Sequence, residues 1–386
     1  MPSSALAMLD EALLSHEDRD RALERFSSTN SGREKPGRFW RVDFESLVAD
    51  PRAIDPGTAR TEARCDDARV VVCHLATAAR EHPALLARAF GATAARSTKF
   101  GALNTAFAGL GTFVYVPADR AVESPILIRY QAAAGASIFP STIVLAERGS
   151  RATVIEHLGG ASDSLICSVV EIVTEENAEV EYACMQHADD GARVLSSRAA
   201  LPGLQSQVSL CAAELGGSLA ASDLNVRFDR PGAQGRVTAI FFPSASRHVD
   251  VVSTVEHRAG DATSETIVKT AARGHGQARF LGNIRIAPHA QGSDARLRDD
   301  ALLLSATAHV DSVPALEIAA NDVKAYHGAT VGALDEEQIF YMESRGIERD
   351  AAERTIALGF FEPAIERFPS ASLRDEIRAA LAATLS

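Results

Sequence analysis

Cysteine is scarce in this 386-residue chain, and its placement is uninformative for redox chemistry. Cys65, Cys73, Cys167, Cys184 and Cys211 form no Cys-x-x-Cys pair. Five is also an odd number for a disulfide framework, so they read as reduced thiols. Cys167 and Cys184 sit among valines and isoleucines, where a free thiol packs as a small hydrophobe. No apolar stretch reaches the roughly 18 residues needed to cross a bilayer. The start, Met1 to Leu6 followed by Asp10, Glu11, Glu17 and Asp18, has neither the basic nor the unbroken apolar segment of a secretion signal. The expected location is the cytoplasm. No Lys/Arg run with interleaved aromatics offsets the net charge of −12, which argues against a nucleic-acid partner. Gly109-Leu110-Gly111 and Gly216-Gly217 are not followed by Lys-Ser/Thr, so no phosphate-cradling loop is present and ATP hydrolysis is not expected of this chain.

What is present is a soluble globular composition, 46% hydrophobic and 23% charged, with enough length for a large core. Leu6, Leu9, Leu13 and Leu14 follow a helical stripe, and a helix is expected from Asp10 to Phe26. Residues 27–37 are polar and breaker-rich, and a second helix is expected from Thr77 to Phe90. Residues 1–100 are read as a helical N-terminal region.

From about Gly111 to Val331 the pattern changes to short β-branched or aromatic runs broken by Gly, Pro, Asp and Ser. Phe113 to Val116, Ile126 to Ile128, Thr142 to Leu145, Val169 to Val173, Val237 to Phe242, Val249 to Val255, Phe280 to Ile286 and Leu302 to Leu304 are examples, followed by His309 to Val313 and Leu316 to Ile318. So many strands without helical spacers suit a stacked β-solenoid, with residues 101–332 as its span. No strict sequence repeat accompanies them, and a pair of sandwiches also fits the pattern. Residues 333–386 return to helix. Asp335 with Gln338, and Asp350 with Glu353, have the spacing of an N-cap residue and its partner three on. Gly346 and Gly359 are candidate stops, and Ser372 to Leu385 forms a last helix.

One constellation stands apart. Lys324-Ala325-Tyr326-His327-Gly328-Ala329-Thr330-Val331-Gly332 precedes Asp335-Glu336-Glu337-Gln338-Ile339-Phe340-Tyr341 and Ser344-Arg345-Gly346-Ile347. With Phe280 to Ile284, Ala290 to Ser293, Pro314 to Ile318 and Asp322 to Lys324, it resembles the C-terminal signature of the SufD scaffold proteins of iron–sulfur cluster assembly, in order and spacing, over about Phe280 to Phe368. Upstream of residue 100 little matches beyond helical character. The resemblance implies a mainly β fold: a right-handed parallel β-helix flanked by N-terminal and C-terminal helical domains. It implies pairing with SufB, or with a second copy, through the β-helix, and docking of the ATPase SufC on the C-terminal helices. It also implies a transient iron–sulfur cluster or iron at the subunit interface, with none tightly bound to the isolated chain. SufB carries Glu-His-Glu near this position, whereas Tyr326-His327-Gly328 favours the SufD branch.

Under that resemblance His327 is the expected metal ligand, since imidazole is a good donor to ferrous iron. One histidine is a poor site alone, so a thiolate from the partner subunit is the natural complement. Gly328 is read as leaving room beside the ligand, and Glu317 as a candidate partner orienting the imidazole. Several relatives carry Cys two positions before this His. Here that residue is Ala325, which removes a second thiol. Gln338, Phe340, Tyr341, Arg345, Phe360 and Phe361 are candidate partner-binding residues, with Phe360 and Phe361 equally able to close the helical core. His289 and His309 read as ordinary histidines, and the acidic run Asp335 to Glu337 as a capping device.

Two other readings are open. Asp299-Asp300 and His327-Gly328 superficially resemble the acid pair and His-Gly of secreted β-helix polysaccharide hydrolases or lyases, though the Arg-Ile-Lys element of those enzymes is missing. A purely structural subunit that stabilises SufB is the third.

Overall fold

The structure is a computed structural model that describes residues 14–29, 39, 42–48, 50, 51, 54 and 56–385. The expected helix start at Asp10 and most of segment 27–37 lie outside the described residues. Within them the first helix is α1 (His16–Ser28), opened by a Ser15 capping box with Asp18. After α2 (Phe44–Leu47) come strands β1 (Ala59–Arg64) and β2 (Val71–His74), so residues 1–100 are not wholly helical. The expected helix over Thr77 to Phe90 is divided into α3 (Leu75–Glu81) and α4 (Pro83–Leu86). The cause is Pro83, which disfavours helical backbone at His82 before it.

A turn of 3-10 helix at Ala94–Ser97 leads into α5 (Lys99–Ala106). Seventeen further strands follow without an intervening helix. They are β3 (Gly111–Val116), β4 (Ile126–Ala132), β5 (Ser137–Ile138), β6 (Ser141–Ala146), β7 (Arg151–Gly160), β8 (Leu165–Thr174), β9 (Glu179–Gln186), β10 (Arg193–Leu201) and β11 (Gln207–Glu214). Then come β12 (Leu219–Phe228), β13 (Gln234–Phe241), β14 (His248–His257), β15 (Thr263–Ala272), β16 (Gln277–Ile286), β17 (Asp294–Leu303), β18 (His309–Ile318) and β19 (Lys324–Ala333). One sheet runs β1-β4-β7-β9-β11-β13-β15-β17-β19 and the other β18-β16-β14-β12-β10-β8-β6-β3-β2. Alternation of strands between two sheets, in parallel register, makes a β-solenoid of about eight turns.

The repeat hidden in the sequence is conformational. Arg151, Glu179, Gln207, Gln234, Thr263, Asp294 and Lys324 occupy one register column, so each coil takes 27 to 31 residues. At one corner Gly149, Asn177, Gln205, Gly232, Asp261 and Gly292 all have positive φ. Each donates its N–H to a carbonyl at the next coil's corner, such as Asn177 to Leu204 at 2.9 Å and Gly292 to Asp322 at 2.7 Å. Glycine, Asn and Asp tolerate this left-handed backbone. Four residue types share the one conformation, so the sequence shows no strict period.

Inward side chains form a continuous lumen core that includes Val154, Tyr182, Leu210, Val237 and Leu297. The outer face of the ten-stranded sheet is covered by α1 and α5, through Leu23, Phe26, Phe100 and Leu103 against Leu165, Leu195 and Val252. Lys99 Nζ donates to the carbonyls of Phe26 and Thr29 at 2.7 and 3.0 Å, closing the last turn of α1. The outer face of the nine-stranded sheet is covered by α7 (Arg349–Ile365) and α8 (Ala371–Leu385), which follow α6 (Glu336–Ser344). Gly359, expected as a stop, lies inside α7, as does Pro363. The helix continues because its buried residues Ala357, Phe361, Ala364 and Ile365 pack on the sheet, and tertiary burial outweighs the local propensity. Glu348, rather than Asp350, holds the N-cap position.

Candidate functional site

The last coil, β18 and β19, ends both sheets, so each of these strands pairs on one side alone. Pro314 sits inside β18, which an edge strand tolerates because no further ladder needs its missing N–H. The two runs expected on either side of it are therefore one strand.

His327 aligns with Leu297, Thr266, Val237, Leu210, Tyr182 and Val154 of the preceding coils. All six of those side chains are buried. His327 itself is exposed, because no further coil covers it. An inward-facing column thus ends in an imidazole at the open mouth of the solenoid. No hydrogen bond or ion pair holds the ring among the described residues. Ala325, two residues earlier on the same inward face, is half-buried against the lumen core and offers only a methyl.

Two expected neighbours do other work. Glu317 lies on β18 in the other sheet, and Arg285 takes its carboxylate at 3.1 Å. The geometry gives Glu317 to Arg285 rather than to His327. Gly328 faces outward, where a Cβ would meet the Tyr326 hydroxyl at 2.5 Å. Its missing side chain makes room for Tyr326 and not for a ligand at His327.

Thiols of this chain do not reach the mouth. Cys167, Cys184 and Cys211 are buried, and Cys65 and Cys73 half-buried. Burial pushes the Cys184 thiol up to about 12 and that of Cys211 up to about 11. These groups stay protonated and unreactive at neutral pH. Cys211 is on β11, four strands from β19, or roughly 19 Å at the usual strand spacing. Among the described residues no group of three or more His, Cys, Asp or Glu is arranged to hold a metal.

Below the mouth, Asp299 and Asp300 are neighbours on β17 and point to opposite faces, as the two-residue strand period requires. Asp300 lies outward, bonded by Lys269 and Arg298 at 2.8 Å each. Asp299 points into the lumen at 1% exposure, and burial pushes its carboxyl up to about 7. Two carboxylates on opposite faces cannot flank one water, which removes the acid-pair geometry of a polysaccharide hydrolase.

On the helical side Asp335 caps α6, accepting from the Glu337 N–H at 2.9 Å, and Glu336 pairs with Arg349 at 2.7 Å. The acidic run is capping and pairing. Phe340 and Tyr341 are 72% and 59% exposed, Gln338 and Arg345 are exposed, and the Arg345 guanidinium lies 5.3 Å from the Tyr341 ring centroid. Phe361 is fully buried, 6.0 Å from Phe242 and 5.4 Å from Phe360 between centroids. It closes the core of the helical layer, which corrects its candidacy as a partner anchor. Phe360 is half-buried, with Lys269 Nζ 4.5 Å from its ring centroid.

A buried ion pair that sequence reasoning missed crosses the lumen: Arg198 Nη1 donates to Glu214 Oε1 at 2.6 Å, and both residues are buried. Neither residue has a sequence cue beyond sitting at an inward strand position.

A family model described as "SUF system FeS cluster assembly, SufBD core domain" matches residues 128–360, and one for the SufBD N-terminal region matches 58–128. An iron-sulfur cluster assembly SufBD family protein of Staphylococcus saprophyticus is 26% identical over 80% of this chain and 67% of its own length. A SufBD family protein of Mycobacterium leprae is 28% identical over 67% of this chain, which spans 30% of that protein. The chloroplastic protein ABCI7 of Arabidopsis thaliana is 28% identical over 69% of this chain and 58% of its own. The core model alone spans more than half of the residues, and it falls on the solenoid and the start of the helical layer. The chain belongs to the SufB/SufD family of SUF-system iron–sulfur cluster assembly proteins.

Proposed function

We propose that this chain is a SufD-type scaffold subunit. It pairs with a SufB homologue, or in isolation with a second copy, through β18 and β19. It docks a SufC-type ATPase on α6 and contributes His327 as a ligand to iron or a nascent cluster at the pairing face. The observation that carries the reading is the uncapped last coil, where an unpartnered imidazole ends a column of core side chains. An edge with free backbone groups is a template for another strand, so a partner that adds a coil brings its own donors over His327. Imidazole and thiolate are both good donors to iron. Because the cysteines of this chain are buried or half-buried and distant, the thiolate is assigned to the partner. The iron is cargo in this scheme, and nucleotide chemistry belongs to the ATPase.

The exposed aromatics of α6 support the docking assignment, since Phe340 and Tyr341 with Arg345 have the composition of a binding hot spot. The test is co-expression with SufB and SufC homologues, followed by anaerobic iron and sulfide analysis of the purified complex. His327→Ala is expected to leave the complex assembled and to lower its iron and sulfide content severalfold. Phe340→Ala with Tyr341→Ala is expected to lose the ATPase and keep the SufB pairing. Full iron and sulfide in an assembled His327→Ala complex would reduce the chain to a structural stabiliser of its partner.

A further inference from the structure

We propose that Asp299 is a second ligand from this chain to the ferrous iron taken at His327. The inference rests on the placement of iron at His327 given above and deepens it. Asp299 stacks in an inward column on Val268, Ala239 and Ala212, all buried and apolar, and the methyl of Ala329 lies above it in the last coil. A carboxyl in such a column is costly unless paired, and among the described residues no cation forms an ion pair with it. Lys269, one strand below, is hydrogen-bonded to Asp300 on the outer face. Among the described residues the single side-chain donor to Asp299 is the Ser312 hydroxyl, which reaches Oδ2 from the last coil of the opposite sheet. Asp299 Oδ1 is buried with no hydrogen-bond partner. A valine here would pack without that penalty, so packing does not account for the carboxyl.

Its position does. Leu297 lies beneath His327 and Asp299 beneath Ala329, so Asp299 is one strand below His327 and two residues along, on the same inward face. With parallel strands about 4.8 Å apart and a rise of about 3.3 Å per residue, such diagonal neighbours are roughly 8 Å apart between Cα atoms, within reach of a common ion for an imidazole and a carboxylate. The Ser312 hydrogen bond draws the carboxylate toward the mouth, and Ala329 places only a methyl between it and the opening. Oδ1 can bind without breaking any hydrogen bond. Imidazole with carboxylate is a donor set used for ferrous iron, and a thiolate from the partner would complete it. The alanine at position 325 then matters less, since a carboxylate from below supplies the second donor.

The test uses the whole isolated chain under anaerobic conditions, with Fe2+ alone as the probe and equilibrium dialysis as the readout. Wild type is expected to bind one Fe2+ weakly. Asp299→Asn, close in shape and uncharged, is expected to weaken that binding by about tenfold or more, and His327→Ala to abolish it. Ser312→Ala, which keeps the carboxylate and removes the hydrogen bond that draws it toward the mouth, is expected to weaken binding less than Asp299→Asn does. Urea midpoints of all variants report whether the end of the solenoid stays folded. Wild-type binding by Asp299→Asn, with loss in His327→Ala, overturns the role of Asp299 and leaves that of His327 intact. Undiminished binding by His327→Ala overturns both. Loss in Ser312→Ala equal to that in Asp299→Asn, or no binding by the wild type, also overturns the proposal.

Discussion

His327 ends an inward column on the last strand of the stack, and Asp299 lies one strand below it, buried. His327 stands out through the motif around it, and its exposure follows from where the motif falls, on the last strand of the stack. Asp299 and Asp300 invite reading as a pair because they are adjacent, yet strand geometry separates them into a buried carboxyl and an outward one held by Lys269. Phe361 and Phe340 likewise looked alike in sequence, and only packing distinguishes a core ring from an exposed one. His257 carries no motif around it in the sequence. Its ring is fully buried against Phe228, with Nε2 2.8 Å from the Ser264 hydroxyl and Nδ1 unpartnered. Burial lowers it from 6.5 to about 4. Between these values the unfolded chain takes up a proton that the folded chain refuses, so this group makes stability fall as pH falls from 6.5 towards 4. Asp299 acts in the opposite sense, because its raised pKa lets the folded chain keep a proton that the unfolded chain has released. The contribution of His257 is therefore read as a difference from a variant. Wild type is expected to lose roughly 2 kcal/mol more than His257→Leu between pH 7 and pH 5, measured by urea unfolding. Equal losses would refute the assignment.

Strands with β-branched runs were legible because burial on both faces selects them, and the last helix was legible from its stripe of Leu373, Ile377 and Leu381. Other elements carried no such mark. β1, with the sequence Ala-Arg-Thr-Glu-Ala-Arg, is exposed along most of its length and has no apolar face to betray it. The corners of the coils were hidden because Gly, Asn, Asp and Gln all serve at the same left-handed position. In α7 the local breakers Gly359 and Pro363 were overruled by burial of one face on the nine-stranded sheet. That dependence has a measurable consequence. Phe361→Ala removes a fully buried ring that touches Phe242 of the sheet side, and is expected to cost about 3–5 kcal/mol in unfolding free energy. Phe340→Ala on exposed α6 is expected to change it by less than about 0.5 kcal/mol. Similar values for both would mean that α7 and α8 do not draw their stability from the solenoid.

At the scale of the molecule, the order helices, strands, helices is legible in the sequence, whereas the covering of both outer faces of the stack by those helices comes from packing. The two ends of the stack are not legible there, because which strand lies outermost is a property of register and not of composition. Those ends differ. At the early end the parallel order is broken by β1 and β2, which pair antiparallel with β4 and β3. The outermost strand there carries Arg60, Glu62 and Arg64, all exposed, and β2 runs directly into α3. Charges on a rim strand discourage further pairing. The late end has Val310, Ser312, Leu316 and Val331 on strands with no further strand beyond them among the described residues.

A body with one receptive rim and one blunted rim behaves in solution unlike a body with two. Any union through the receptive rims uses up both, so growth halts at a pair and no fibre follows, in contrast to head-to-tail contacts that never close. Light scattering across a hundredfold range of concentration should therefore find masses of one or two chains and a plateau. Replacing Arg60, Glu62 and Arg64 together by threonine would unblunt the other rim, and larger, polydisperse species are the expected result.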